Sequence, residues 1–150
     1  GVHYDNKIGA FKVRGRAFYE SLTNSSTSEG AWQVGGSVKH DSGISLTGVY
    51  GQSLAVDGAE DDARWAATVG YTANLNALGP TGIGVNVSGS QDRTVVGSEA
   101  IAVGLGFNQQ IKGAGTNIYG NVAFWDVDLP SSQTPLDQVV TMLVGMQVKF

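Results

Sequence analysis

A chain of 150 residues has room for one domain and not comfortably for two. The formal net charge of −4 removes the electrostatic case for nucleic acid, and the absence of Cys removes disulfides and thiolate metal sites. Gly is abundant at 22 residues and Pro scarce at 3, which fits many closely packed strands with frequent turns rather than collagen or a disordered linker.

No apolar run approaches the roughly 18 residues of a transmembrane helix. A membrane β-barrel stays open, because its apolar half is hidden in alternation and hydropathy averages it away. The chain starts at Gly1 with no Met and no signal peptide, which reads as a mature chain or a fragment.

Period-two alternation recurs along the whole chain, and about eight strands are expected within a single domain, 1–150. The first, 8–21, sets Phe11, Val13, Ala17 and Tyr19 against Lys12, Arg14, Arg16 and Phe18. The second, third and fourth cover 30–40, 44–56 and 63–75. The fifth, 81–91, sets Ile83, Val85 and Val87 against Gly84, Asn86 and Ser88. The sixth, 98–111, sets Ile101, Val103, Leu105 and Phe107 against Ala102, Gly104, Gly106 and Asn108. In the seventh, 115–127, Ile118, Val122 and Phe124 share one face and Tyr119 and Trp125 the other, so its facing is left open. The eighth, 137–150, sets Val140, Met142, Val144, Met146, Val148 and Phe150 against Thr141, Gly145, Gln147 and Lys149.

Most of these runs reach about 11 to 14 residues, whereas globular strands average about 5 to 6 and a tilted membrane strand needs about 9 to 11. The non-apolar face is dominated by Gly, Ala, Ser and Asn, and charged residues are 15% of the chain. That is poor material for the wet face of a soluble sandwich and better material for a crowded interior. The expected fold is therefore all-β, a transmembrane antiparallel up-and-down β-barrel.

Connections alternate in length. The stretches at 22–29, 57–62, 92–97 and 129–136 are long, those at 41–43 and 112–114 short, and that at 76–80 intermediate. Barrels of the outer membrane carry long loops outside and short turns at the periplasm, so a periplasmic C-terminus puts every long loop outside. An even strand count returns the N-terminus to the periplasm as well. The acids Glu29, Asp57, Glu60, Asp61, Asp62, Asp92, Asp126, Asp128 and Asp137 lie in or beside those loops. They could share the divalent cations that bridge lipopolysaccharide, although the plain solvation of polar loops is the better explanation. Trp32, Trp65, Trp125 and Tyr19 fall near the proposed outer ends and Phe11 and Phe150 near the inner ends, while Tyr50 and Tyr71 sit nearer mid-strand.

The ending Leu143-Val-Gly-Met-Gln-Val-Lys-Phe150 resembles the C-terminal strand of Gram-negative outer-membrane proteins. The resemblance implies a bacterial outer-membrane location, with Phe150 as part of the signal read by the barrel-assembly machinery. The Gly-rich strands and the ending Gln147-Val-Lys-Phe150 look most like the general porins, particularly those of α-proteobacteria. Such porins are about twice this length, with barrels of about 16 strands and a long inward-folded loop. This chain would match half of one, and no loop here is long enough to constrict a pore.

Eight strands give a lumen filled by side chains, and about 16 leave a water channel. The inward residues expected are Lys12, Arg14, Arg16, Glu20, Gln33, Lys39 and Arg64. In a closed barrel the first strand would face the small residues of the fifth and sixth, and that complementarity favours closure. Glu20 is the nearest candidate partner for Arg16. Half of a larger barrel, or a homo-oligomer in which two chains complete one barrel, remain alternatives. No catalytic constellation, cofactor motif or metal motif appears, so no enzyme is expected. Two functions follow. One is a porin-like barrel passing small polar or anionic solutes, its basic wall acting as selectivity element. The other is a closed structural or adhesive barrel whose outer loops bind a partner or lipid. A soluble β-sandwich binding module is the third reading.

Overall fold

Strands of this length and period have one economical arrangement, in which each pairs with its neighbours in the chain. The computed structural model describes residues 1–21, 28–55, 61–92, 95–131 and 137–149. They form a single antiparallel sheet of nine strands in strict sequence order. The strands are β1 (Val2–Ile8), β2 (Phe11–Ser21), β3 (Ser28–His40), β4 (Ile44–Ala55), β5 (Asp62–Asn76), β6 (Gly79–Gln91), β7 (Glu99–Ile111), β8 (Thr116–Asp128) and β9 (Val139–Val148). From β2 to β9 they run between 10 and 15 residues.

The all-β, up-and-down expectation holds, and eight of the strands fall where alternation put them. The first differs. The stretch around Ile8 is a hairpin, with Ile8 paired to Phe11 across Gly9 and Ala10. Gly9 has φ 59° and Ala10 does not share the positive φ, the pattern of a type II′ turn with Gly at its first central position. Nine strands also change the parity. β1 and β9 run in the same direction, so Val2 lies towards the opposite end of the sheet from Val148.

Four short turns, at 9–10, 41–43, 77–78 and 112–115, lie at one end, and the longer stretches 22–27, 56–61, 92–98 and 129–138 connect strands at the other. The turns extend the ladder. The Asp41 N–H donates to the Ala10 carbonyl at 2.9 Å, Thr72 to Gly43 at 3.0 Å, Lys112 to Leu78 at 2.7 Å and Lys149 to Gly115 at 3.0 Å.

Partners directly opposite in an antiparallel ladder share a face, so the register can be followed across the sheet. One rung reads Val13, Val38, Leu46, Val69, Val85, Leu105, Val122 and Met142, an unbroken aliphatic row from β2 to β9. Only Asn6, which pairs with Val13 from β1, interrupts that row. The open facing of β8 is settled the same way. Ile118, Val122 and Phe124 lie with Met146, Met142 and Val140 on the apolar face, and Tyr119 and Trp125 lie with Gly145 and Val139 on the polar one. Trp125 therefore does not belong with the aromatic residues of the apolar face. Tyr50 does, since its ring stands 5.3 Å from that of Trp32, and Tyr19 and Trp65 pair with Trp32 and Tyr50.

Among the described residues the sheet has no second layer. Contacts run only between consecutive strands, and none joins β1 to β9 or β2 to β6. The only buried hydrophobic residues described are Ala102 and Ala123, while Met142 is 78% and Val144 69% exposed.

The turns offer a clean test of backbone constraint. Gly43 has φ 97°, and a Cβ there would drive into the carbonyl of Thr72, the residue whose N–H donates to Gly43. Gly113 has φ 80° with nothing within 4 Å. Gly43→Ala should cost about 2–3 kcal/mol of unfolding free energy, and Gly113→Ala about 1. Urea midpoints of the folded protein measure both, and equal losses would refute the steric account.

Candidate functional site

The polar face is where the expected site residues fall. Lys12, Arg14, Arg16 and Glu20 are on β2, Gln33 and Lys39 on β3, and Arg64 on β5. Alternation puts the β2 four on one face, and the rungs put the others beside them. Lys7, Lys12 and Lys39 are consecutive partners on β1, β2 and β3. Arg16 lies between His3 and Gly35. Gln33 pairs with Gly51, and Gly51 with Arg64. All seven residues therefore share a face. Lys12, Arg14, Arg16 and Lys39 cluster on β2 and β3, and Arg64 stands apart on β5 near the long-connection end. Phe150 lies outside the described residues.

The cluster draws its carboxylate from β1, the strand that the sequence reading missed. Asp5 is paired with Arg14, so their side chains leave the same face together. The Arg14 Nε donates to Asp5 Oδ2 at 3.0 Å, and the Lys12 Nζ stands 3.6 Å from Asp5 Oδ1. Lys7 reaches past β2 to hold both carboxylate oxygens of Asp41, in the β3–β4 turn, at 3.0 Å. Glu20 forms no ion pair with Arg16, for a geometric reason: four residues along an extended strand separate them by roughly 13 Å. Arg64 has its own partners, Ser53 Oγ at 3.2 Å and Asp62 at 3.9 Å. The two-residue hairpin Ile8-Gly9-Ala10-Phe11 was the available signal for β1, and with it for Asp5 and Lys7.

These pairs are about half exposed, Arg14 at 57% and Asp5 at 46%. Water screens them, so they set the local potential more than they hold the fold. The other half of the face is neutral. The rung that begins Lys7, Lys12, Lys39 continues as Ser45, Gly70, Gly84, Gly106, Asn121 and Leu143. The next begins with Asp5, Arg14 and Ser37 and continues as Thr47, Thr68, Asn86, Gly104, Ala123 and Thr141. The face thus grades from cationic at β1–β3 to uncharged at β6–β9. Trp125 closes the neutral side, donating from Nε1 to Thr141 Oγ1 at 3.0 Å and pairing across the ladder with Ala102, which is 1% exposed. Among the described residues no group of His and acidic side chains could hold a metal ion.

The class that this geometry defines is an antiparallel up-and-down sheet with one apolar and one polar face, each uncovered. No protein-family model matches the chain, and no curated protein or solved structure matches it either.

Removal of the Asp5 carboxylate separates electrostatics from structure. Asp5→Asn should lower stability by no more than about 1 kcal/mol, and the difference should fade near 1 M salt, where the screening length is about 3 Å. Urea unfolding at low and high salt measures this. A loss above about 2 kcal/mol that salt leaves unchanged would mean that Asp5 is a packing residue.

Proposed function

We propose that the chain forms wall of a bacterial outer-membrane β-barrel and acts as a porin, passing small polar or anionic solutes. The observation that carries this reading is the sorting of side chains to two faces across nine strands that, among the described residues, have no second layer. An apolar face of this width needs an apolar medium, and hydrocarbon supplies one without a covering sheet. Height supports it too. On β7 the apolar face turns polar at Glu99 and at Gln109, roughly 33 Å apart along the strand. At a tilt of about 40° that is a band of roughly 25 Å, the thickness of the apolar belt of outer-membrane barrels. The cluster of Tyr19, Trp32, Tyr50 and Trp65 stands at one border of the band, where interfacial aromatics gather.

The open edges bear on the kind of barrel. Unpaired N–H and C=O groups are costly in hydrocarbon, so β1 and β9 take partners beyond the contacts described. The wall reads as part of a wider ring, in which the polar face lines water. Lys12, Arg14, Arg16 and Lys39 would then draw anions towards β1–β3, with Arg64 higher on the wall. Lipid and lipopolysaccharide would meet the apolar face, and the assembly machinery would read the C-terminal strand with Phe150.

Two measurements test the reading. Val85→Arg on the apolar face should cost about 2–4 kcal/mol of folding free energy in lipid vesicles, and Ser88→Arg on the opposite face within about 1. Equal tolerance would remove the membrane. In planar bilayers the pure protein should conduct in discrete steps, and Lys12→Glu with Lys39→Glu should move the reversal potential towards cations. Folded, inserted protein without conductance would end the porin reading.

A further inference from the structure

The neutral half of the polar face holds a trough of about 710 Å³, spread over β4 to β9. Glycines form its floor, and Asn86, Asn108, Asn121 and Tyr119 stand around it. Two of the glycines have no internal reason to be glycine. Gly82 and Gly106 do not have positive φ. A Cβ at either would meet nothing nearer than 3.7 Å, an ordinary contact. Glycine inside a strand is destabilising by about 0.5–1 kcal/mol, and where the backbone does not require it the residue often marks close approach of a ligand. Here it keeps the floor bare.

The rim is equally specific. The amides of Asn86, Asn108 and Asn121 hydrogen-bond to no other described residue, though each carries two donors and an acceptor. They do not share a rung: Asn121 is two residues along β8 from the partner of Asn108, and Asn108 four along β7 from the partner of Asn86, so the three amides stand roughly 8 to 14 Å apart. Asn108 is the direct cross-strand partner of Tyr119. The Tyr119 ring lies over Gly145, where a Cβ would stand 2.6 Å from its Cζ, so that residue too leaves room for the ring. No charged side chain lines the trough.

Amides this far apart, hydroxyls from Ser45, Thr68 and Thr72, and the Tyr119 ring with Leu143 near it, with no charge, make up the chemistry that recognises hydroxyls spread over more than one sugar unit and the apolar face of a pyranose. We propose that the trough binds an uncharged polyhydroxylated solute, a short oligosaccharide. Asn86, Asn108 and Asn121 exchange hydrogen bonds with its hydroxyls, and Tyr119 stacks on a ring. The inference rests on the polar face being the solute-facing side, and it gives that side two selectivities: anions at β1–β3, neutral glycosides at β6–β9. An anion would find no counter-charge in the trough, and an apolar ligand would leave the amides unpaired.

The test uses the whole chain folded in detergent, with raffinose, a neutral trisaccharide, as probe. Calorimetric titration should give saturable binding. Asn108→Leu and Asn121→Leu should each weaken it about tenfold, as expected for one lost hydrogen bond with a stranded partner. Tyr119→Phe should retain binding and Tyr119→Leu should lose it, which separates stacking from a merely structural role. Circular dichroism confirms that each variant folds. No raffinose binding, or equal binding by all variants, overturns the inference. Bilayer conductance is scored separately. Protein that conducts but ignores raffinose keeps the porin reading and loses the sugar site, and protein that binds raffinose but does not conduct keeps the site and loses the channel.

Discussion

A hydrogen bond between two antiparallel strands fixes more than distance. It fixes which residues stand opposite each other, and because side chains alternate, it fixes which face each shares. This chain extends that coupling across nine strands. A slip of one residue at any of the eight interfaces would turn the rest of the sheet over, placing the row of Val69, Val85 and Leu105 beside the row of Arg14, Thr47 and Asn86. The register holds because each rung is chemically uniform along much of its length. Aliphatic meets aliphatic, glycine meets glycine, and lysine meets lysine only where Asp5 and Asp41 stand close by. The short turns reinforce it, since each accepts a backbone hydrogen bond from the neighbouring turn or strand.

Much of this was legible in the sequence, for a physical reason. A sheet with one apolar and one small or polar face writes its period directly into the chain, and β6, β7 and β9 could be read residue by residue. The seven polar-face residues were legible on the same ground, because facing follows from parity alone. Pairing across strands was not. Tyr119 and Trp125 alternate with equally large apolar residues on β8, and only their partners Gly145 and Val139 decide the side. The first strand was missed because Asn6 interrupts its apolar face and because a two-residue hairpin leaves almost no loop to see. That omission removed Asp5, and the partner for Arg14 was then sought along β2, where extended geometry forbids it.

Charge and burial divide the work in an unusual way. Globular proteins hide apolar side chains and leave charge outside. Here almost nothing is hidden, and the large apolar residues are as open as the lysines. The ion pairs are too exposed to hold the sheet. Stability in isolation would come from the backbone ladder and from cross-strand contacts such as Trp32 with Tyr50. Such contacts are worth well under 1 kcal/mol to about 1 each, too little to order nine strands alone. The arrangement therefore makes energetic sense only when something apolar covers one face, which is the ground on which the membrane proposal stands.

Parity then constrains how the two edges can be completed. β1 and β9 run the same way, so joining them directly, or joining β9 to β1 of a second copy in the same orientation, makes a parallel pair. Parallel ladders are slightly less stable per residue, and outer-membrane barrels are antiparallel throughout. An intervening set of strands, odd in number, restores the alternation. The polarity gradient argues in the same direction. In a ring closed by these nine strands alone, the cationic end at β1–β3 would abut the neutral end at β9. In a wider ring the two ends are held apart, and each can act on its own kind of solute.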